Sequence, residues 1–131
     1  MALETPGRPR LLIAEDDAAL AETMREVLEE DFSVHVTGNG TSAVSQARTD
    51  QPDVLVIDAR LPQMDGFEAC RVLRLDPATA NLPIIMVTGD SAPGLAHAAF
   101  EAGATDYMQK PFSISQLRAR ATTCLMRRRA S

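Results

Sequence analysis

Three acidic residues stand directly after short apolar runs of the sequence. Glu15 and Asp16 follow the run at 11–14, and Asp58 follows the run at 54–57. Two unit charges about 4 Å apart repel by about 4 kcal/mol at an effective dielectric of about 20, so carboxylates gathered in one pocket need a proton or a cation between them. A hard divalent cation such as Mg2+ suits carboxylate ligands, whereas zinc would need His or Cys ligands. If the fold brings these acids together, we expect a magnesium site.

Two other polar residues occupy equivalent positions after later apolar runs. Thr88 follows the run at 84–87, and Lys110 comes shortly after the run at 105–108. The threonine would supply a hydroxyl group and the lysine a fixed ammonium group. A cation, an ammonium and a hydroxyl around one carboxylate are suited to phosphoryl transfer, in which Asp58 would act as the nucleophile.

The apolar runs predict the strands that must position these side chains. The runs lie at residues 11–14, 34–36, 54–57, 84–87 and 105–108. Their apolarity is continuous rather than alternating, as in strands that helices cover on both faces of a parallel sheet. The segments between them carry helical periodicity, clearest in the stripe of Leu20, Met24 and Leu28. We therefore predict an α/β fold of five β-α units, a three-layer α/β/α sandwich with right-handed crossovers.

Residues with capping side chains predict where the helices begin. The predicted starts are Asp17, Asp65 with Glu68 three residues on, Ser91 before Pro93, and Ser113 with Gln116 three residues on; a further helix is predicted over residues 41–48 without a capping signal. A serine or aspartate at such a position accepts a backbone N–H of the first helical turn. Pro77 would end the third helix nearby, and Gly103 would cap the fourth.

The composition indicates one globular domain. The chain has 131 residues, of which 45% are apolar and 24% charged, close to the globular average. Its net charge of −5 has the wrong sign for a protein whose main partner is a nucleic-acid backbone. No apolar run approaches the ~20 residues that span a bilayer, and the N-terminus lacks a secretory pattern, so we expect a cytoplasmic protein with no membrane partner. Cys70 and Cys124 lack metal-site or disulfide spacing and are expected in the core.

Four motifs, in this order and at this spacing, resemble the receiver domain of two-component response regulators. They are LIAEDD at 12–17, VLVIDARLPQMDG at 54–66, PIIMVT at 83–88 and GATDYMQKPF at 103–112. The resemblance extends over residues 10–127 and implies a flavodoxin-like (β/α)5 fold, a five-stranded parallel sheet with strand order 2-1-3-4-5. Residues 1–9 would then be a flexible N-terminal leader and residues 128–131 a C-terminal tail.

The resemblance implies a role for each residue of the predicted metal site. Asp58 would accept a phosphoryl group from a phosphohistidine on a sensor histidine kinase or a phosphotransfer protein. Asp16 and Asp58 would bind Mg2+ directly, Glu15 would bind it through water, and the backbone carbonyl of Arg60 would be a further ligand. Such a domain is not an enzyme in the ordinary sense, because it catalyses only its own phosphorylation and dephosphorylation.

The resemblance also implies a switch. Lys110 would pair with phosphoryl oxygens, and its peptide bond to Pro111 would be cis. Thr88 would bind the phosphoryl group and draw its loop inward, after which Tyr107 would turn from an exposed to a buried position. The surface of the fourth helix, fifth strand and fifth helix would then control an output domain, a downstream effector or a homodimer. Nucleic acid would not be a direct partner.

Arg60 and Asp90 lie two residues after the acceptor and the threonine, where they would flank the path of an attacking water. We expect them to set the rate of autodephosphorylation. Two alternative functions remain open, a Mg2+-dependent aspartyl-phosphate phosphohydrolase and a flavodoxin-like nucleotide-binding module. The first would usually carry its nucleophile on the first strand beneath a sizeable cap. The second would need phosphate-cradling loops of Ser, Thr and Gly where this chain has acids.

Overall fold

The computed structural model describes residues 7–130 and shows strands and helices in strict alternation. The strands are β1 (Arg10–Ala14), β2 (Ser33–Thr37), β3 (Val54–Asp58), β4 (Ile84–Thr88) and β5 (Asp106–Gln109). The helices are α1 (Ala18–Leu28), α2 (Gly40–Asp50), α3 (Gly66–Leu75), α4 (Leu95–Glu101) and α5 (Ile114–Ala130). Each strand matches a predicted apolar run to within one residue at either end. Among the described residues, no helix is long and apolar enough to cross a membrane.

The sheet has all its strands parallel, in the order β2-β1-β3-β4-β5. This confirms the predicted α/β sandwich and its strand order. β1 and β3 are neighbours although a whole β-α unit separates them along the chain, and the order of the strands reverses at this point. Ala14 is level with Ile57, and Asp58 is level with Val87. The carboxyl ends of β1, β3 and β4 therefore lie side by side.

Both faces of the sheet are buried, because successive residues of a strand point to opposite faces. Leu55 packs with side chains of α2, α3 and α4, and the next residue, Val56, packs with side chains of α1 and α5. Burying an apolar side chain of this size contributes about 1.5–3 kcal/mol, so the continuous apolarity of the strands holds both helical layers. Cys70 and Cys124 are free and buried, one in each layer, as predicted.

Short polar side chains cap the first turns of four helices, and at the start of α5 Ser113 accepts the backbone N–H of Gln116 at 3.4 Å, as predicted. Asp17 accepts the backbone N–H of Leu20 at 3.1 Å, and Asp65 accepts that of Glu68 at 2.8 Å, which confirms both predicted starts. Asn39 caps α2 in the same way, two residues before the predicted start of that helix. A cap of this kind contributes about 1 kcal/mol, and the aspartate at the start of α3 also fixes the loop that follows β3.

The predicted start of α4 at Ser91 is wrong, because the helix begins only at Leu95. Gly94 precedes it with a φ of +87°, a left-handed conformation that interrupts the helix and offers no side-chain cap. Asp90 instead accepts the backbone N–H of Ala92 at 2.9 Å, which closes a turn in the segment before Gly94. α4 is therefore short, with 7 residues.

The predicted leader and the predicted tail lie at the two ends of the chain. Residues 1–6 of the predicted leader lie outside the described residues. Next to β1, the carbonyl of Pro9 accepts the N–H of Ser33 at 2.8 Å. α5 continues to Ala130, so most of the predicted tail at 128–131 belongs to this helix. Arg128 donates to the carbonyl of Pro52 at 3.1 Å, and this contact holds the last turns of α5 against the loop before β3.

Candidate functional site

The three predicted acids lie together at the carboxyl ends of β1 and β3. Glu15 follows β1, Asp58 ends β3, and Asp16 lies beside them; we call these three residues the acidic group. One carboxylate oxygen of each lies within 4.8 Å of those of the other two. Glu15 and Asp58 are only 3% and 5% exposed, whereas Asp16 is exposed. Such a donor set fits a hard divalent cation that keeps part of its water shell on the exposed side.

Lys110 reaches the same site from the end of β5. Its ammonium group donates to Asp58 Oδ2 at 2.5 Å and to Glu15 Oε1 at 2.8 Å. Its backbone N–H donates to the carbonyl of Thr88 at 2.7 Å. Its peptide bond to Pro111 is cis, as predicted. The lysine therefore binds both buried acids at once and compensates part of their charge.

Burial and neighbouring charges shift the protonation of the site. Burial raises the pKa of Glu15 from 4.5 to about 7, against hydrogen bonds from Lys110 and from the N–H of Asp17, and the charge of Asp58 raises it further. Burial alone would lower the pKa of Lys110, but its hydrogen bonds to Asp58 and Glu15 outweigh that effect and raise it above its ordinary value. The pocket therefore holds more negative charge than one lysine compensates.

The loop between β3 and α3 fixes the Asp58 carboxylate. The N–H of Arg60 donates to Asp58 Oδ1 at 2.8 Å, and the N–H of Gly66 donates to the carbonyl of Ala59 at 2.9 Å. A Cβ at Gly66 would lie 2.4 Å from the backbone oxygen of Asp58, so only glycine allows this approach. Gln63 adopts a φ of +72°, a left-handed conformation that is uncommon outside glycine. The backbone of this loop thereby orients the acceptor.

Two cavities of about 520 Å³ each open beside this loop. One is lined by the acidic group and Lys110. The other extends towards the start of α4 and is lined in part by Leu95. Arg60 and Asp90 line both cavities and form an ion pair with each other. The ion pair therefore marks the boundary between a charged cavity and a more apolar one.

Thr88 is buried at the end of β4, with 1% of its surface exposed. Its Oγ accepts the backbone N–H of Asp90 at 3.1 Å. The carboxylate of Asp90 accepts the N–H of Ala92 and pairs with Arg60, and these contacts lower its pKa. Since Thr88 Oγ serves as an acceptor in its own loop, the hydrogen of its hydroxyl stays available for donation.

Tyr107 lies in β5, level with Met86 of β4. Its side chain is half-buried, between the exposed and buried positions that the predicted switch requires. Burial raises the pKa of its hydroxyl, and the nearby charge of Asp90 raises it further. The tyrosine is therefore close to the loop that follows Thr88.

The structure brings the predicted residues to one edge of the sheet, but it also shows contacts that sequence analysis missed. The ion pair between Arg60 and Asp90 was not predicted. The available signal was their opposite charge and their common spacing of two residues from Asp58 and Thr88. The left-handed conformation of Gln63 was also missed, because the identity of that residue gives no local signal for it.

Comparison with known proteins identifies related sequences. The family model of the response regulator receiver domain matches residues 11–122. The DNA-binding response regulator MtrA of Mycolicibacterium paratuberculosis is 40% identical over 121 residues, which are 92% of this chain and 52% of the relative. The chain thus spans about half the length of this relative.

Solved structures share the fold. The receiver domain of Francisella response regulator 1452 has a TM-score of 0.85 and 30% identity, covering 92% of this chain and 98% of that one. The receiver domain of sensor histidine kinase PA1611 from Pseudomonas aeruginosa, solved with a magnesium ion coordinated in its active-site cleft, has a TM-score of 0.80 and 28% identity over 91% and 98% of the two chains. Sequence and fold comparisons therefore point to one family.

Proposed function

Because the chain belongs to the response regulator receiver domain family, we propose that Asp58 is the phosphoacceptor of a signalling switch. The chain is the receiver domain of a two-component response regulator. The observation that carries the proposal is the contact of the buried Asp58 carboxylate with Lys110, beside Glu15 and Asp16. This arrangement offers a nucleophile together with the positive charge and the metal ligands that phosphoryl transfer needs.

The proposed donor is a phosphohistidine of a sensor histidine kinase or a phosphotransfer protein. A carboxylate oxygen of Asp58 forms the new O–P bond while the P–N bond breaks, and the imidazole leaves with the bonding electron pair and takes up a proton. The N–H of Arg60 holds Oδ1 and the ammonium of Lys110 holds Oδ2, so the carboxylate is oriented before the donor arrives. Lys110 then stabilises the charge on the phosphoryl oxygens.

The acidic group would hold Mg2+ through Asp16 and Asp58 directly and Glu15 through water, with the backbone carbonyl of Arg60 as a further ligand. A cation bound there would supply positive charge to the phosphoryl oxygens. Two observations support this assignment. The pKa of Glu15, raised to about 7, fits a pocket that a further positive charge would stabilise. The PA1611 receiver domain coordinates magnesium in its active-site cleft.

Autodephosphorylation is assigned to water that attacks the phosphorus atom, breaks the O–P bond, restores the Asp58 carboxylate and releases phosphate. Arg60 and Asp90 line both cavities beside the acceptor. Their ion pair therefore borders the route by which water would reach the phosphoryl group. In this proposal the pair sets the lifetime of the aspartyl phosphate.

The switch begins at Thr88, whose hydroxyl hydrogen would donate to a phosphoryl oxygen. That movement would break the contact between Thr88 Oγ and the N–H of Asp90 and draw the loop before α4 towards Asp58. Tyr107, half-buried near Asp90, would then turn inward. The altered surface of α4, β5 and α5 would control an output domain, a downstream effector or the pairing of two copies.

The proposed setting is the cytoplasm, where a sensor histidine kinase presents its phosphohistidine. In this proposal residues 10–127 act as the receiver unit, residues 1–9 as a leader and residues 128–131 as a tail. MtrA is described as DNA-binding, but the net charge of −5 in this chain supports no direct role of these residues in nucleic-acid binding.

The two alternative functions are not favoured. An aspartyl-phosphate phosphohydrolase would usually carry its nucleophile on the first strand, but the candidate nucleophile Asp58 ends β3. The strand ends carry the acidic group where a flavodoxin-like nucleotide site would need phosphate-cradling loops of Ser, Thr and Gly.

The test is the intact mass of the protein after incubation with acetyl phosphate and Mg2+. We expect the gain of a phosphoryl group in the wild type, loss of that gain with a chelator, and no gain in Asp58→Asn. Asp50→Asn, on α2, is the matched control and should behave as the wild type. Uptake that persists in Asp58→Asn would refute the assignment of the acceptor.

A further inference from the structure

Arg74 of α3 is held entirely by neutral oxygens. Its Nε donates to the carbonyl of Gly103 at 2.8 Å, and Nη2 donates to Thr105 Oγ1 at 3.3 Å. Its Nη1 donates to the carbonyls of Thr79 and Ala80 at 3.3 and 3.1 Å. Burial lowers the pKa of this half-buried guanidinium, and no carboxylate of residues 7–130 forms an ion pair with it. A buried cation held in this way joins three segments of backbone: the end of α3, the loop before β4 and the turn before β5.

The turn between α4 and β5 is built around this arginine. Gly103 has a φ of +109°, and a Cβ there would lie 2.6 Å from Arg74 Cγ. Glycine is therefore required both by the backbone conformation and by the close approach of the arginine. Thr105 Oγ1 also accepts the N–H of Ile84, the first residue of β4, at 3.0 Å. The turn is thus fixed to α3 and to the central part of the sheet.

The opposite end of α4 has few such contacts. Residues 91–94 are exposed, and Gly94 provides no side-chain cap. Within α4, Ala99 is the buried residue. Leu95, at the start of the helix, lines the cavity of about 520 Å³ that also borders Thr88. Since segments with few buried contacts move at the lowest cost in free energy, α4 should move from its first turn.

We propose that Arg74 is a positioning residue of the switch, which keeps the turn after α4 fixed while the first turn of the helix moves. This inference rests on the proposed function, because the movement starts when Thr88 binds the phosphoryl group. The helix pivots near Gly103, and Leu95 moves into the cavity beside Thr88. β5 begins at Asp106, directly after the fixed turn. Tyr107 therefore changes its side-chain position while its backbone stays in register with β4.

The test compares the wild type with Arg74→Met, which removes the polar contacts and keeps the apolar part of the side chain. Arg74→Lys keeps the charge but reaches fewer acceptors, and Arg71→Met removes an exposed arginine of the same helix as a control. Each protein is saturated with beryllofluoride and Mg2+. Peptide-resolved hydrogen exchange and the fluorescence of Tyr107, the only tyrosine in a chain without tryptophan, are then measured. Phosphoryl uptake from acetyl phosphate is followed by mass.

In the wild type, saturation should change the hydrogen-exchange rate of residues 91–98. The exchange rate of residues 102–106 should change by less than about twofold. In Arg74→Met, saturation should make exchange at 102–106 about tenfold faster than in the same variant without beryllofluoride, because the turn that has lost its anchor then moves with α4. The change in Tyr107 fluorescence that saturation causes in Arg74→Met should be less than about half of the change in the wild type. Phosphoryl uptake by the variant should stay within about twofold of the wild-type rate. Arg74→Lys should recover part of the response, and Arg71→Met should match the wild type.

A purely structural role for Arg74 would lower stability without changing the response at saturation. The inference is therefore wrong if Arg74→Met gives the wild-type fluorescence change and the wild-type exchange at 102–106. If that variant does not fold, Arg74→Lys and Thr105→Val decide in the same way, because each weakens the anchor. A wild type that takes up the phosphoryl group with no change in exchange at 91–98 also overturns the inference, together with the proposed movement of the loop before α4, and leaves Asp58 as the phosphoacceptor. A wild type that takes up no phosphoryl group overturns the proposed function itself.

Discussion

Lys110 and Arg74 are both half-buried cations, but they are held by opposite kinds of partner. Lys110 donates to the carboxylates of Asp58 and Glu15, whereas Arg74 donates to three backbone carbonyls and one hydroxyl. A lysine between carboxylates can transfer its contacts to a phosphoryl group, because phosphoryl oxygens attract its ammonium group by negative charge as the carboxylates do. An arginine between backbone carbonyls has no charged partner that a phosphoryl group could replace.

The difference shows which part of the domain reacts and which part keeps its shape. At the acidic group, burial raises the pKa of Glu15 to about 7 although Lys110 pairs with it, and the charge of Asp58 raises it further. Around Arg74, every acceptor is neutral, and none of them belongs to the acidic group. The carboxyl edge of the sheet is therefore responsive to added charge, while the turn before β5 is not. Four measurements can break or sharpen this contrast.

The largest effect is expected from Lys110→Met. The variant should take up the phosphoryl group from acetyl phosphate about 100-fold more slowly, because one preorganised charge at the transferring group is lost. Arg74→Met should react at nearly the wild-type rate. The measurement is the time course of intact mass at fixed Mg2+ concentration. Equal slowing in both variants would remove the distinction between the two cations.

Arg74→Met should instead lower the free energy of unfolding by about 2 kcal/mol, because three partly buried carbonyls lose their donor. The urea midpoint, measured by circular dichroism without Mg2+, reports this change. Arg71→Met, which alters an exposed position of the same helix, should leave the midpoint nearly unchanged. If the two variants have the same midpoint, the contacts of Arg74 do not stabilise the fold.

Glu15→Gln should stabilise the metal-free protein at neutral to alkaline pH. The folded-state pKa of Glu15 is raised from 4.5 to about 7, so the folded chain binds the proton more tightly than the unfolded chain does. The contribution of Glu15 to stability is then fully present below about pH 4.5 and is lost as the pH rises through about 7. At about pH 8 with a chelator, the variant should melt about 4 °C higher than the wild type, which corresponds to ~1 kcal/mol.

Glu26→Gln, at an exposed position of α1, is the control for the loss of one acid. Under the same conditions, Glu26→Gln should leave the melting temperature nearly unchanged. Added Mg2+ should raise the melting temperature of the wild type, because a ligand that binds only the folded state stabilises it. The acidic group carries no excess charge if Mg2+ leaves the melting temperature of the wild type unchanged and if Glu15→Gln melts at the same temperature as the wild type.

The smallest effect is expected at the ion pair that separates the two cavities. Arg60→Gln and Asp90→Asn should each shorten the lifetime of the aspartyl phosphate by about threefold, within the range that an exposed ion pair contributes. The loss of phosphoryl mass after removal of the donor gives this lifetime. The double variant should resemble the single ones, because each removes the same pair. Unchanged lifetimes in all of them would assign water access to other groups.

Much of the fold could be predicted because its signals are local. Continuous apolar runs mark β1 to β4, and the capping aspartates Asp17 and Asp65 mark the starts of two helices. The start of α4 was misplaced because a serine before a proline is a typical start, whereas here Gly94 adopts a left-handed conformation. The glycine takes that conformation in the context of the surrounding loop, and its identity alone does not show it.

The site divides in the same way. The acids and Lys110 were predicted because each follows a strand, and the ends of parallel strands share one edge. The contacts of Arg74 were not predicted, because they join residues about thirty positions apart through backbone carbonyls, which every residue possesses. Likewise, the pairing of Arg60 with Asp90 depends on how two loops approach each other in space. No local pattern encodes such distances.

The missing side chain of Gly66 has an electrostatic consequence for the acceptor. Because a Cβ there would meet the backbone oxygen of Asp58, glycine lets the first turn of α3 approach the end of β3. The peptide dipoles of a helix add up to a partial positive charge at its N-terminus, which stabilises a nearby anion by about 0.3–1 kcal/mol. Gly66 therefore keeps the positive end of the α3 macrodipole close to the backbone of the residue on which the phosphoryl group would add its negative charge. A larger residue at this position would move that field away from the acceptor even if every side chain of the site were retained.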